Sequence, residues 1–258
     1  VPDYQDDLTL ALSLADEADV LTIARFQALD LVVETKPDLT PVSDADRATE
    51  EALRIRLAAE RPHDGVLGEE YGDQTPTADR RWVLDPIDGT KNFVRGVPVW
   101  ATLVALMDGE DVVVGVVSAP ALGRRWWAAR GLGSWTGGSL ARKRQLRVSD
   151  VSRLADASVS YSDEVGFPDP EGMARLRRAC WRSRAYGDFW SHVLVAEGAV
   201  DLAVEPELSL WDIAAFVPVV EEAGGRVTGL DGAPARGAAG ALSTNAVLHD
   251  EVRALLLP

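Results

Sequence analysis

Five acidic residues, Asp44, Glu69, Asp85, Asp88 and Asp212, stand where an apolar strand ends or a helix begins. The densest case is Trp82-Val83-Leu84-Asp85-Pro86-Ile87-Asp88-Gly89-Thr90, where large apolar residues run into two carboxylates before a glycine and a hydroxyl residue open a helix. A strand that delivers acids to its C-terminal end ahead of a helix start is a frequent way for an α/β fold to build a site, because the fold gathers such junctions at one edge. Ionised carboxylates gathered there repel, and each raises its neighbours' pKa unless a cation holds them. The three histidines, His63, His192 and His249, are scattered, and the ligand set is therefore oxygen-only, which selects a hard divalent ion such as Mg²⁺. A bound metal converts an acidic surface into an anion site, and hydrolysis of a phosphate ester is the chemistry that follows. Taken singly, Asp44 reads as a helix N-cap, and Asp212 as favourable helix-start electrostatics contributing ~0.3–1 kcal/mol.

The composition agrees with that chemistry. Among 258 residues, 26 Lys and Arg stand against 41 Asp and Glu, a net charge of −15, which argues against nucleic acid or an anionic membrane as partner. An anionic substrate must then be attracted by something other than net charge. The lone Cys180 excludes an intrachain disulfide and fits a reducing compartment. The acidic start Val1-Pro2-Asp3-Tyr4-Gln5-Asp6-Asp7 has no signal-peptide pattern and no segment has the length of a membrane span, so a cytoplasmic location is expected.

The elements that must position the acids read as follows. Leu8, Ala11, Leu12, Ala15 and Ala18 recur on one face of a first helix. A breaker segment, Lys36-Pro37-Asp38-Leu39-Thr40-Pro41, precedes a second helix, capped by Ser43 or Asp44, with Ala48, Ala52, Ile55 and Ala59 on its face, ending at Arg61-Pro62. A short strand at 65–68 delivers Glu69 and Glu70, a polar loop leads to Arg81, and the next strand delivers Asp85. Residues 101–107 and 112–119 form a hairpin about Asp108-Gly109, and Arg124 to Ala129 continues an antiparallel sheet in which Trp126 and Trp127 serve packing. The cluster Arg142-Lys143-Arg144 with Arg147 reads as a solvated face. After about residue 150 strands and helices alternate: strands at 157–161, 200–204 and 226–228, and helices at 170–180, 189–197 and 211–223. The expected organisation is an α+β half, 1–150, carrying most of the ligands, and an α/β half, 151–258, carrying Glu205 and Asp212.

Gly68-Glu69-Glu70, Asp85-Pro86-Ile87-Asp88-Gly89-Thr90, and Trp211-Asp212-Ile213-Ala214-Ala215 followed by Glu222-Ala223-Gly224-Gly225 resemble the signature segments of the inositol monophosphatase family of metal-dependent, lithium-sensitive phosphatases. Phosphatases with an aspartate nucleophile are excluded by spacing, since Asp85 and Asp88 are separated by two residues rather than one. The resemblance implies a layered αβαβα sandwich, generally dimeric, with two or three Mg²⁺ ions held by Glu69, Asp85, the Ile87 carbonyl, Asp88 and Asp212. It implies that Gly89 and Thr90 present backbone N–H groups to the phosphate, and that Asp44 works with Thr90 to orient and deprotonate the attacking water. In-line attack without a phosphoenzyme follows.

Selection of the ester falls to the second half. Inositol-specific relatives have Ser or Thr after the glycine of Arg184-Ala185-Tyr186-Gly187-Asp188, where this chain has an acid. Asp188, with Glu205 upstream of Asp212, suits a positively charged leaving group. Gly187-Asp188-Phe189-Trp190 resembles the histidinol-phosphate phosphatases within the superfamily, which implies L-histidinol phosphate as the small phosphorylated substrate. The alternative for Asp188 is a cap before Phe189; Arg184 and Gly187 join the candidate pocket, with Tyr161, Ser162 and Trp190 as further lining. Inositol monophosphate, fructose bisphosphate or a nucleotide bisphosphate are the competing substrates, and a non-catalytic metal- or phosphate-binding regulator the competing class.

Overall fold

The computed structural model describes residues 3–37, 39–75, 78–237 and 239–256. Val1 and Pro2 of the acidic start, Asp38 of the breaker segment, and Pro76 and Thr77 of the polar loop before Arg81 lie outside them. The chain opens with helix α1 (Gln5–Arg25), a small ribbon of β1 (Val33–Thr35) and β2 (Pro41–Ser43), and helix α2 (Asp44–Glu60). Strands β3 (Gly65–Gly68), β4 (Gly72–Asp73) and β5 (Arg80–Asp88) follow, then the short helix α3 (Thr90–Val94). The meander β6 (Ala101–Asp108), β7 (Asp111–Ala119), β8 (Arg124–Ala129), β9 (Ser134–Ser139) and β10 (Arg142–Gln145) completes an eight-stranded sheet of order β10-β9-β8-β7-β6-β5-β3-β4. Its strands pair antiparallel except for β3 beside β5.

The remainder comprises β11 (Ser158–Ser160), α4 (Pro170–Ala179), β12 (Arg182–Arg184), α5 (Asp188–Ala196), β13 (Leu202–Glu205), α6 (Leu210–Ile213), α7 (Phe216–Glu221), β14 (Arg226–Thr228), β15 (Ala241–Thr244) and α8 (His249–Leu256). Its five strands form a second sheet of order β12-β11-β13-β15-β14. Strand β15, at the heart of that sheet, and α8 lie beyond the last element read from the sequence.

Burial on both faces of the large sheet sets the layering. Along β5 and β6, Trp82, Leu84, Val104 and Leu106 pack under α1 and α2, while the alternate residues Val83, Leu103 and Ala105 face α5 and α7. Successive side chains along a strand point to opposite faces, so a stretch covered on both sides must be apolar at nearly every position, as β6, β7 and the 82–84 stretch of β5 are. Helices α5 and α7 pack in turn on the second sheet, whose far side is closed by α4 and α8. The result is the five-layer αβαβα order. Trp126 and Trp127 are fully buried on opposite faces, one in each core. Strand β10 is exposed, as expected for a solvated basic face, with Lys143 lying 3.9 Å from the Trp135 ring centre. No helix among the described residues is long and apolar enough to cross a membrane.

Two sequence expectations change. The buried face of α2 is not Ala48, Ala52, Ile55 and Ala59; Ile55 is 66% exposed, and the buried residues are Ala45, Asp46, Thr49, Glu50, Leu53, Arg54 and Leu57. Polar residues that satisfy one another occupy the inward face, and apolar periodicity therefore selects the wrong side of the helix. The single helix expected over 211–223 is two, α6 and α7. Pro218 has no N–H to offer the carbonyl of Ala214 four residues back, and its ring crowds that carbonyl. The junction is used: a Cβ on Gly115 of β7 would lie 2.0 Å from the Ala215 carbonyl oxygen, so the break rests directly on the sheet.

Candidate active site

Strand β5 delivers its acids through an irregularity. Pairing with β6 is regular up to Asp85↔Leu103, shifts register, and resumes at Asp88↔Ala101. Between the two acids the backbone is pinned by the Ile87 N–H donating to Asp85 Oδ1 (2.9 Å) and by Thr102 Oγ1 donating to the Pro86 carbonyl (2.8 Å). Such a bulge re-aims side chains, and it turns Asp85 and Asp88 toward a common point. Gly89 then takes φ +80°, a left-handed conformation that a side chain would strain, and α3 begins at Thr90. The first N–H groups of that turn have no carbonyl partner within the helix.

Asp212 arrives from the other half of the chain. It is the third residue of α6, and its Oδ2 accepts the N–H of the N-cap Ser209 at 2.6 Å. Carboxylate oxygens of Asp85, Asp88 and Asp212 all lie within 4.8 Å of one another. Asp88 Oδ2 also accepts the Phe189 N–H at the start of α5 (2.8 Å), a second tie between the halves. Glu69 stands outside this trio but within electrostatic reach of Asp46, Asp85, Asp88 and Asp212. Lys36 Nζ bridges Glu69 Oε1 (2.7 Å) and Glu70 Oε1 (2.6 Å).

Asp44 needs correction. It is the first residue of α2 rather than its cap, and it pairs with Arg25 at 2.7 Å, with its side chain 41% exposed. The acid beside Thr90 is Asp46, fully buried, with its Oδ1 3.4 Å from Thr90 Oγ1. Its Oδ2 accepts both the N–H and the hydroxyl of the N-cap Ser43, at 2.8 and 2.5 Å. Thr90 Oγ1 donates to the Ile87 carbonyl at 2.9 Å, which binds the predicted carbonyl ligand, the predicted hydroxyl and Asp46 into one chain of contacts. A signal for Asp46 was present: Ser43-x-x-Asp46 repeats the Ser209-x-x-Asp212 pattern, a hydroxyl cap with an acid at the third helical position.

The substrate-selecting candidates divide. Glu205, buried at the end of β13, accepts from Ser162 Oγ at 2.8 Å, and that same oxygen accepts the Asp188 N–H at 2.9 Å. Asn92, which the sequence reading passed over, donates to Asp188 Oδ2 at 3.2 Å. Asp188 is not a cap; it is the first residue of α5, at φ +49°, with Gly187 as N-cap at φ +76°, ψ 171°, a conformation open essentially to glycine alone. Arg184 is exposed and its guanidinium donates to the Ser183 carbonyl, not to the acids. Tyr161 belongs to the hydrophobic core beneath the second sheet, and Trp190 packs on Tyr186 at 5.5 Å.

Burial, reinforced by neighbouring negative charge, pushes these acids up. Asp85 and Asp88 rise well above the carboxylate range, first through desolvation and then through each other's neighbours. Burial takes Asp46 to about 6 and Asp212 to about 7, the latter sharing a side-chain hydrogen bond with Asp85. Burial likewise takes Glu205 to about 8 and raises Asp188, against the pull of Lys91. A hard divalent ion fits this donor set, which is oxygen-only and convergent.

The protein-family model described as the inositol monophosphatase family matches residues 3–256. A histidinol-phosphatase from Streptomyces coelicolor is 58% identical, covering 98% of this chain and 97% of that protein. A histidinol-phosphatase from Mycobacterium tuberculosis is also 58% identical, covering 96% of each. The solved structure of an inositol monophosphatase from Zymomonas mobilis superposes with a TM-score of 0.87 at 31% identity, covering 99% of both chains.

Acids raised in the folded state hold protons there that the unfolded chain, with carboxylates near 4, has already released. The acids' contribution to the stability of the metal-free chain therefore falls as pH rises toward the folded values of about 7 for Asp212 and about 8 for Glu205, and it stands uncountered above about 6.5, where His192 and His249, buried with lowered pKa values, are neutral in both states. Thermal melts in a chelator should show Tm declining over this range, and Mg²⁺ should flatten the decline by raising Tm most at the alkaline end. A chelated protein whose Tm climbs across the same interval would refute the electrostatic account.

Proposed function

The chain belongs to the inositol monophosphatase family and is a phosphatase, and from that premise we propose that it hydrolyses L-histidinol phosphate to L-histidinol and inorganic phosphate. The observation that carries the substrate is the second pair of acids. Asp188 and Glu205 are joined through the Ser162 hydroxyl, and Asp188 acts electrostatically on Asp88, Asp212 and Glu205. A leaving group with an amine and an imidazole would meet carboxylates beside the cluster that faces its phosphate. The cation would draw Glu205 back to its ionised form, and charge-assisted hydrogen bonds of this kind stabilise binding by ~1.5–3 kcal/mol. A neutral polyol offers these acids hydroxyl donors but no positive charge, and neutral hydrogen bonds contribute less than charge-assisted ones.

Glu69, Asp85, the Ile87 carbonyl, Asp88 and Asp212 would hold Mg²⁺. When bound, Mg²⁺ neutralises these carboxylates and acts as a Lewis acid toward the phosphoryl oxygens. The N–H groups of Gly89 and Thr90 would donate to phosphate oxygens, and a side chain at Gly89 would press on the Val99 carbonyl (3.1 Å) and Asp188 Oδ2 (3.3 Å). Thr90 Oγ1 orients the attacking water, and Asp46, poised near neutrality by its burial, takes the proton. No residue of the chain is phosphorylated in this scheme. A homodimer, implied by the family resemblance, and a cytoplasmic location, which the lone Cys180 fits, belong to the same proposal.

The division between Asp46 and Asp44 is directly testable. Asp46→Asn should lower kcat by about 10²–10⁴-fold, the range for loss of a general base, with the fold retained by circular dichroism. Asp44→Asn should leave kcat near the parent value, since it removes only a half-exposed ion pair of ~0–1 kcal/mol. Comparable losses in both variants would break the assignment.

Phosphate release from L-histidinol phosphate and myo-inositol 1-phosphate, measured side by side with Mg²⁺, should favour the former in kcat/KM by at least about ten-fold, equivalent to ~1.4 kcal/mol. Faster inositol phosphate hydrolysis would overturn the substrate. Asp188→Asn keeps a residue that tolerates positive φ. It should raise KM for histidinol phosphate by roughly ten-fold or more while leaving an uncharged ester nearly unaffected. An equal effect on both esters would reduce Asp188 to a backbone role.

A further inference from the structure

The buried polar face of α2 carries a device that the mechanism above does not use. Glu50 is fully buried one turn after Asp46, and its carboxylate lies against the backbone of the turn that presents Glu69. Glu50 Oε2 accepts the Glu70 N–H at 2.7 Å and Oε1 accepts the Tyr71 N–H at 3.2 Å. Arg54 anchors it from behind, with Nε donating to Glu50 Oε1 at 2.7 Å. The same guanidinium clamps both sides of the turn, donating to the Gly72 carbonyl at 2.5 Å and the Val66 carbonyl at 3.4 Å. A Cβ on Gly68 would lie 2.0 Å from Glu50 Oε1, so the glycine before Glu69 is what lets the carboxylate sit there.

We propose that Glu50, held by Arg54, is a positioning residue for metal binding: it fixes the backbone on the C-terminal side of Glu69 while β5 fixes the N-terminal side through the Glu69 N–H to the Leu84 carbonyl (3.2 Å). A buried ion pair is a weak source of stability, because desolvation of two charges offsets most of their attraction. Its retention here is explained by where it points. Both of its charged groups end on backbone atoms of the 66–72 segment, and both N–H groups immediately after Glu69 are used. One helix thereby carries, a turn apart, the acid that serves Thr90 and the acid that aims Glu69. The inference rests on the reading of Glu69 as a metal ligand.

The test is Mn²⁺ affinity of the substrate-free protein, followed by electron paramagnetic resonance of free Mn²⁺, with Tm recorded for each variant. Glu50→Gln should weaken Mn²⁺ binding by about ten-fold or more, the usual effect of removing a group that orients a metal ligand. It also leaves Arg54 buried without its counter-charge, and Tm should fall. The double variant Glu50→Gln/Arg54→Met removes both charges and should recover much of the Tm without recovering the affinity, because the Glu70 and Tyr71 N–H groups still lack their carboxylate. Gly68→Ala, which displaces Glu50 while keeping its charge, should also weaken binding. Parent-like affinity in the double variant or in Gly68→Ala overturns the proposal. Glu69→Gln serves as the reference: parent-like affinity there would overturn the ligand assignment itself, and the proposal with it, independently of the Glu50 variants.

Discussion

Mutual repulsion among buried carboxylates is the constraint that the rest of the molecule answers. Asp85, Asp88 and Asp212 converge, with Glu69 close enough to raise all three further and Asp46 close enough to raise Asp85. Left to themselves such groups would swing apart or remain protonated. The chain counters with backbone. Asp85 accepts from Ile87, Asp88 from Phe189, Asp46 from Ser43, and Asp212 from Ser209. Each acid is thus oriented by an N–H that has no other freedom, so aim is set by main-chain geometry rather than by flexible partners, as a preorganised site requires.

This explains why the two halves of the chain are packed so closely. Helices α5 and α7 lie between the sheets and share one core with both. The N-terminal ends of α5 and α6 bring Phe189 and Asp212 to the end of β5. Any shear between the sheets would separate Asp212 from Asp88 and release the Phe189 N–H. The Ala215–Gly115 approach, possible only because β7 has no side chain there, resists such sliding.

Much of this was legible from the amino-acid sequence. Strands buried on both faces announce themselves by unbroken apolar runs, and the acids at the end of β5 follow directly from theirs. What misled was a polar interior. Helix α2 turns Asp46, Glu50 and Arg54 inward, and hydropathy reads such a face as solvent-exposed; Asp44 is conspicuous at the helix start, while nothing in the apolar pattern points to Asp46 two residues on. Pro218, which divides α6 from α7, is masked by apolar periodicity on either side. Strand β15 gave no distinctive signal because Ala-Leu-Ser-Thr derives its place in the sheet from its neighbours. Asp188 was noticed for its charge, while its left-handed backbone and its tie to Asn92 arise only from tertiary contacts.

Two of the acids, Asp46 and Asp212, are also the third residues of their helices and close on the N-cap. In many enzymes the groups that do chemistry are a burden to the fold, and loss-of-function substitutions gain stability. Here relief of repulsion is offset, in any substitution that removes the side-chain oxygen, by loss of the bond that closes the helix start on its N-cap. A lineage accumulating random substitutions would find little thermodynamic reward for silencing these two positions. The scaffold therefore resists drifting into an inert but sturdier relative, because at Asp46 and Asp212 the requirements of folding and of function coincide.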